Sequence, residues 1–199
     1  MVTGMKVISE FAEKISNKMV NRGIVQSEDA ELYQYGIENS ITVAGNLLAS
    51  VLLGILTGRL GIVLVFLLFY SSLRSYSGGV HCKSKLGCFI LSMLVLLVPV
   101  FSYKWVMEMV AFPVLIVVGV IAIVVVLVLS PVESISKPLD DEERKYYRRI
   151  SHCIVALQGC VLVILYCLGI SEYFYAGYSS LILVALFMII GKITTKRYI

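Results

Sequence analysis

Charged residues are scarce in this sequence, and their scarcity excludes most classes of soluble protein. Only 15% of the 199 residues are Asp, Glu, Lys or Arg, whereas 59% are hydrophobic. The mean hydropathy of +0.91 lies well above the range of soluble domains. Because the charges are grouped in short segments, the apolar runs between them are able to enter lipid. The composition therefore predicts a membrane protein.

The start of the chain lacks the features of a secretory signal peptide. Its first 23 residues carry six charges and have neither an uninterrupted apolar core nor a small-residue cleavage site. Apolar side chains instead recur every three or four residues, at Val7, Ile8, Phe11, Ala12, Ile15 and Met19. This pattern predicts an amphipathic helix, lying either on the membrane surface or against the protein's own cytosolic side. Ser27 is then predicted to cap a second helix that continues into the membrane.

Six apolar stretches have about the 20-residue length that a membrane-spanning helix needs. They are residues 39–57, 60–75, 86–103, 109–130, 152–171 and 174–191. Each is predicted to be helical because lipid offers no partner to an unpaired backbone group. Residues 57–59 and 171–173 are predicted to be tight turns. The expected fold is all-α: an N-terminal amphipathic segment (1–37) followed by a polytopic domain (38–199) with about six transmembrane helices.

Basic residues are nearly absent from one side of this predicted bundle. Fifteen of the seventeen Lys and Arg residues fall on one side, and only Arg59 and Lys104 fall on the other. Since basic residues concentrate on the cytosolic side of membrane proteins, both termini and residues 74–88 are predicted to be cytosolic. The loop from Pro131 to Arg149 is interpreted either as a solvated anchor or as a peptide-docking surface.

The five cysteines form no disulfide framework, because their number is odd and their spacings are not those of a secreted scaffold. Cys153, Cys160 and Cys167 are spaced by seven and share one face of the fifth span, which predicts packing or a helix–helix contact. Gly45 and Gly54 in the first span would let another helix approach, and they are the only hint of a homodimer.

Polar chemistry is concentrated in the segment Arg74–Cys88, RSYSGGVHCKSKLGC. A cysteine nucleophile needs a nearby base, and His81 is the only histidine in this segment. Cys82 is a poor partner because adjacent side chains point in different directions. Cys88 lies on the same helical face as His81, but two turns of helix separate them by roughly 10.5 Å. Residues 81–88 therefore cannot be one straight helix if His81 and Cys88 react together.

The neighbouring residues are compatible with such a site. Gly78, Gly79 and Gly87 permit backbone turns, and free N–H groups near Gly78 and Gly79 would stabilise an oxyanion. Cys88 begins the third span, where the positive end of the helix dipole favours a thiolate. No acidic residue lies close in sequence to orient His81, and Glu133 and Gln158 are the candidates for that role.

Two other interpretations remain open from the residues alone. His81, Cys82, Cys88, His152 and Cys153 would all lie on the cytosolic side, where they could form a zinc site. However, no C-x-x-C or H-x-x-x-H spacing is present. Alternatively, the protein is a non-catalytic transporter or interaction protein whose polar cavity is lined by His and Cys. The preferred interpretation requires no metal, cofactor or nucleic acid.

The order Arg74, Tyr76, Gly78-Gly79, His81 and Cys88, between the second and third of about six spans, resembles the accessory gene regulator B (AgrB-like) family. These are membrane cysteine endopeptidases of bacterial quorum sensing. The resemblance implies that Cys88 is the nucleophile and His81 its general base, with Arg74 and Gly79 at positions on which the family depends. Cys82 falls where the family often has Ala, which implies that it is dispensable.

The resemblance also implies a partner and a reaction. The substrate would be an AgrD-like signal propeptide with an amphipathic leader and an acidic C-terminal tail, processed at the bacterial cell membrane. Attack by Cys88 would release the tail and leave an acyl-enzyme thioester, which would be exchanged for a thiolactone or lactone ring. Such an exchange needs no ATP, and no ATP-binding motif is visible. The positive cytosolic face would attract the acidic tail.

Overall fold

The computed structural model describes residues 2–80, 85–132 and 139–196. Within these ranges the chain is all-α and has no β-strand. Its seven helices are α1 (Val2–Asn21), α2 (Ala30–Leu56), α3 (Leu60–Ser77), α4 (Lys85–Met109), α5 (Phe112–Leu129), α6 (Asp141–Cys167) and α7 (Ser171–Lys196). Six of them, α2 to α7, are long and apolar enough to cross a membrane. The predicted fold, with six spans and an N-terminal amphipathic helix, is confirmed.

The contacts divide the chain into two units, Met1–Ala49 and Ser50–Ile199, with the boundary inside α2. The functional division at residue 37 stays a prediction. In the first unit, a 3₁₀ turn at Ser27–Asp29 leads directly into α2, so the helix is continuous as expected. Gln26 occupies the N-cap position of this turn, and its side chain makes no capping bond. Ser27 is the first residue of the turn itself, so the prediction that Ser27 is the cap is wrong.

Helix α1 packs inside the first unit through its smallest side chains. Ala12 and Ser16 are buried, whereas Phe11 stays 55% exposed. The Ser16 hydroxyl donates to the Ala30 carbonyl at 2.6 Å, and the Ser9 hydroxyl donates to Glu38 Oε1 at 2.8 Å. These bonds show that the inner stripe of α1 covers the start of α2. The amphipathic helix therefore packs on its own chain, and contact of its exposed face with lipid stays a prediction.

In the second unit, α7 lies at the centre and packs against α3, α4, α5 and α6. Small residues make this possible: a Cβ on Gly177 would come within 2.9 Å of Phe69 and Leu162 side-chain atoms. Helix α5 buries Leu115, Ala122 and Val126 against the core. Most of its other large side chains are exposed, as expected for a lipid-facing span.

Of the two predicted turns, one needs correction. The turn between α6 and α7 is formed by Leu168–Ile170, with Gly169 at φ 72°, and Ser171 and Glu172 already belong to α7. The predicted turn at 171–173 is wrong because an acidic residue is favourable in the first turn of a helix. By contrast, the turn at 57–59 is confirmed, and Gly54 before it makes room for Leu60 and Val63 of the same chain. Gly54 thus serves a contact within the chain, and the homodimer stays a prediction.

The cysteines of α6 do not contribute to the core. Cys153, Cys160 and Cys167 are free and exposed. Packing within this chain is therefore the wrong explanation for their spacing. A contact with a helix of another chain stays a prediction.

Candidate active site

Three distant segments meet at one end of the α3–α7 bundle. They are residues 78–80 after α3, residues 130–132 after α5, and the C-terminal half of α7. Gly78 and Val132 run side by side in a single parallel bridge, and the Val132 N–H donates to the Ser77 carbonyl at 2.9 Å. The Val80 N–H donates to the Phe187 carbonyl at 3.2 Å. Backbone bonds therefore hold residues 78–80 on both sides, and we call these three residues the 78–80 segment.

Arg74 binds the 78–80 segment from the last turn of α3. Its two terminal guanidinium nitrogens donate to the carbonyls of Gly78 and Val80. The guanidinium also lies 6.0 Å from the centre of the Phe187 ring, within reach of a cation–π contact. A cation at a helix C-terminus is favourable because the carbonyls there have no partner in the helix. Arg74 thus fixes the path of the chain as it leaves α3.

Glycine is required in the 78–80 segment for conformation and for space. Gly78 has φ 73° and Gly79 has φ 124°, values that L-residues rarely adopt. A Cβ on Gly78 would collide with the Val132 carbonyl. One on Gly79 would collide with the Arg74 guanidinium and lie 3.0 Å from the Phe187 carbonyl. The predicted supporting residues Arg74, Gly78 and Gly79 are therefore brought together in one contact.

The backbone donors of the 78–80 segment are mostly occupied. The Gly78 N–H donates to the Arg74 carbonyl at 3.3 Å, and the Val80 N–H is bound to Phe187. The expectation of free N–H groups is therefore wrong for Gly78, because this N–H continues the hydrogen-bond pattern of α3.

Cys88 lies in the first turn of α4, and its free thiol is exposed. The Cys88 carbonyl accepts a bond of 2.8 Å from the Ser92 hydroxyl, which is an ordinary contact inside a helix. His81 and Cys82 lie outside the described residues. The pairing of His81 with Cys88, and the bend between them, therefore stay predictions.

The two candidates for orienting His81 have different outcomes. Glu133 lies outside the described residues. Gln158 is buried, and its amide nitrogen donates to the Phe69 carbonyl at 2.8 Å and to the Ser72 hydroxyl at 3.1 Å. This amide joins α6 to α3 in the middle of the bundle, so its bonds are explained without a role towards His81.

The zinc interpretation gains no support from the described residues, among which no three His, Cys, Asp or Glu side chains are grouped to hold a metal ion. The His152 ring lies 3.0 Å from the Leu127 carbonyl, where Nε2 as a donor would join α6 to α5. Cys153 is exposed. Of the other three proposed ligands, Cys88 is also exposed, and His81 and Cys82 lie outside the described ranges.

The comparison with protein families decides the identity of this chain. The model of the family "Accessory gene regulator B" matches residues 12–190, which is most of the chain.

The chain belongs to the accessory gene regulator B family.

The curated relatives agree. A protein described as AgrB-like from Clostridium perfringens (strain SM101 / Type A) is 28% identical over 191 residues, covering 93% of this chain and 87% of the relative. A second, described as AgrB-like protein 2, from Clostridium perfringens (strain 13 / Type A), is 28% identical over 145 residues, covering 70% of this chain and 67% of the relative. No solved structure matches. Membership assigns this multi-pass membrane protein to the accessory gene regulator system of quorum sensing.

The AgrB-family chain also has site residues that sequence reasoning missed. Val132 and Phe187 bind the 78–80 segment through their backbones. Gly191 of α7 lets this segment approach, because a Cβ there would lie 2.9 Å from Gly79 C and Val80 N. Backbone bonds leave no mark in a sequence, but the lone glycine near the end of an apolar span was a usable signal.

Proposed function

We propose that this AgrB-family protein is a membrane-embedded cysteine endopeptidase that removes the C-terminal tail of a signal propeptide. Cys88 is the nucleophile and His81 the general base. The observation that carries the proposal is the pair of hydrogen bonds from Arg74 to Gly78 and Val80. They fix the backbone that leads directly into His81, while Cys88 stands exposed at the start of the next helix. Such fixed supports are what a two-residue catalytic site needs.

The first step is acyl transfer to the enzyme. His81 takes the proton of the Cys88 thiol, and the thiolate attacks the carbonyl of the bond to be cleaved. A backbone N–H near Gly79 is proposed to donate a hydrogen bond to the developing oxyanion. His81 then gives the proton to the departing amine, so the acidic tail leaves and a thioester joins the remaining peptide to Cys88.

The second step returns the enzyme to its starting state. A thiol or hydroxyl side chain of the bound peptide attacks the thioester, and the Cys88 sulfur leaves. The peptide closes into a thiolactone or lactone. One acyl–sulfur bond breaks as one acyl–sulfur or acyl–oxygen bond forms, so formation of a thiolactone needs no external energy source.

Family membership and the charge of the protein support the proposed substrate class. An AgrD-like propeptide has an acidic tail, which complements the basic segments at the site end of the bundle. Arg74, Lys145 and Lys192 all lie in helix turns at that end. We propose that this end, together with both termini, faces the cytosol, because only Arg59 and Lys104 are basic residues of the opposite side.

The test uses the full chain in membranes with a co-expressed AgrD-like propeptide, followed by mass spectrometry. Cys88→Ala and His81→Ala are expected to abolish cleavage and the thioester adduct, whereas Cys82→Ala is expected to retain both. The exposed Cys153 provides a matched control, and Cys153→Ala is expected to cleave at the normal rate.

Continued cleavage by Cys88→Ala would refute the proposal. Loss of cleavage in Cys82→Ala, with cleavage retained in Cys88→Ala, would identify Cys82 as the nucleophile. Absence of cleavage by the wild-type protein with any such propeptide would favour a non-catalytic transport or interaction protein.

A further inference from the structure

The first two turns of α6 reach the candidate active site through two neighbouring residues. The Tyr147 ring lies 5.8 Å, centre to centre, from the ring of Tyr76 in the last turn of α3. Arg148 Nε donates to the Ser130 carbonyl at 3.0 Å, at the end of α5. Tyr76 stands two residues before Gly78, and Ser130 stands two residues before Val132. Helix α6 therefore contacts both chain segments that form the Gly78–Val132 bridge.

The Ser130 carbonyl depends on a donor from outside its own helix. Ser130 is fully buried and follows the last residue of α5, where carbonyls lack partners inside the helix. Pro131 comes next and has no N–H. Three hydrogen bonds fix residues 130–132: the Ser130 N–H donates to the Val126 carbonyl of α5, Arg148 binds the Ser130 carbonyl, and the Val132 N–H binds the Ser77 carbonyl. Of these three, only the Arg148 bond ties residues 130–132 to α6, and its removal takes that donor from the buried Ser130 carbonyl.

A shift of residues 130–132 is transmitted to the site because the bridge has no spare room. Gly78 lies so close to Val132 that even a Cβ would collide with the Val132 carbonyl. Movement of Val132 therefore either pushes Gly78 or opens a gap beside it. Gly78 is bound by Arg74, and the same segment leads into His81. The chain of contacts thus runs from Arg148 through Ser130 and Val132 to the 78–80 segment.

We infer that Arg148 is a positioning residue that sets the geometry of the proposed His81–Cys88 reaction through residues 130–132. This inference rests on the proposed function. The role differs from simple attraction of an acidic tail, which any basic residue on this face would share. Arg149 supplies the comparison: it is adjacent, equally charged and exposed, and its side chain makes no hydrogen bond to a described residue.

The experiment compares Arg148→Gln with Arg149→Gln in the full-length protein in lipid vesicles, with an acidic-tailed AgrD-like propeptide as substrate. Rates are expressed per folded molecule, judged by elution as a single species after detergent extraction. Arg148→Gln is expected to lower kcat about tenfold with KM nearly unchanged, since a small displacement of reacting groups slows chemistry strongly. Arg149→Gln is expected to leave kcat unchanged. Arg148→Lys, which keeps a donor and the charge, is expected to recover part of the rate.

A second measurement follows the reactivity of Cys88 without substrate. The rate of its alkylation by iodoacetamide at neutral pH, read from the mass of the Cys88 peptide, is expected to fall in Arg148→Gln towards the rate in His81→Ala. In Arg149→Gln it is expected to stay at the wild-type rate. Loss of charge alone would instead give both glutamine variants the same alkylation rate.

Equal kcat values for the two glutamine variants, or a rise in KM as the only effect of Arg148→Gln, would overturn the inference. If Arg148→Gln does not accumulate, Arg148→Lys and Arg149→Lys replace the pair, and equal kcat values for these variants would overturn it as well. Cleavage that survives Cys88→Ala would refute the proposed function itself. Loss of cleavage in Cys88→Ala, together with equal kcat values for the Arg148 and Arg149 variants, would refute only the positioning role.

Discussion

The two ends of the α3–α7 bundle are held by different kinds of contact. At the far end, hydroxyl groups join α4 to α7: Tyr103 pairs with Ser171 and Ser102 pairs with Tyr175, each at 2.7 Å. At the site end, the contacts are made by backbone groups, by residues without a Cβ and by two arginines. The far end is joined through side-chain hydroxyls, whereas the site end leaves no space for a Cβ at Gly78 or Gly79. The site end should therefore tolerate substitution poorly.

Gly78→Ala should produce the largest effect. The new methyl group would collide with the backbone carbonyl of Val132 at a residue with φ 73°. Moving the segment by about 1 Å should slow propeptide cleavage about 100-fold, measured by mass spectrometry of the released tail. Gly58→Ala is the matched control at the far end, because Gly58 has φ 67° but nothing within 4 Å of its Cβ position.

Gly58→Ala should cost about 1–2 kcal/mol of stability through backbone strain alone, with cleavage per folded molecule unchanged. Equal loss of cleavage in the two variants would show that backbone strain, not crowding, explains the sensitivity of Gly78. The comparison between the two ends would then fail.

Gly191→Ala should produce an intermediate effect. Its methyl group would lie 2.9 Å from Gly79 C and Val80 N, so the segment must retreat from α7, and we expect cleavage to fall about tenfold. In Gly159→Ala, the nearest atom to the new methyl group is 4.0 Å away, in Ile123. This change should stabilise α6 by about 0.5–1 kcal/mol without affecting cleavage. Wild-type activity in Gly191→Ala would contradict the tight contact between α7 and the 78–80 segment.

Tyr103→Phe should produce the smallest effect, and only on stability. It removes the hydroxyl pair with Ser171 and should lower the free energy of unfolding by about 0.5–1 kcal/mol. Thermal unfolding in detergent measures this change, and Tyr35→Phe, at an exposed tyrosine of the first unit, is the control. A loss of cleavage per folded molecule in Tyr103→Phe would show that the far end also controls the site.

The fold was largely predictable because lipid restricts the structural choices. A run of about 20 apolar residues has to be helical, and six such runs gave six spans. The boundaries were less accurate because polar residues also occupy the first turns of helices. The sequence predicts a turn at Ser171 and Glu172, but these residues begin α7, and Gly169 forms the turn two residues after the last residue of α6.

The site was predictable only where its residues are neighbours in sequence. Arg74, Gly78 and Gly79 lie within six positions, and their contacts follow from that spacing. Val132 and Phe187 come from distant parts of the chain and act through their backbones, so no residue type reveals them. Gln158 is the opposite case. A polar amide in an apolar span is a natural candidate for a catalytic role, but the hydrogen bonds of this amide join α6 to α3.

The contact between Val80 and α7 also bears on how the protein is made. More than a hundred residues separate Val80 from Phe187, so the ribosome completes the 78–80 segment long before it completes α7. Until α7 has entered the membrane, the 78–80 segment lacks two contacts: the Phe187 carbonyl that accepts the Val80 N–H, and the close approach that Gly191 allows because it has no Cβ. The nascent chain therefore lacks these supports of the 78–80 segment until its insertion is nearly complete, which would keep the proposed catalytic centre from acting on peptides too early.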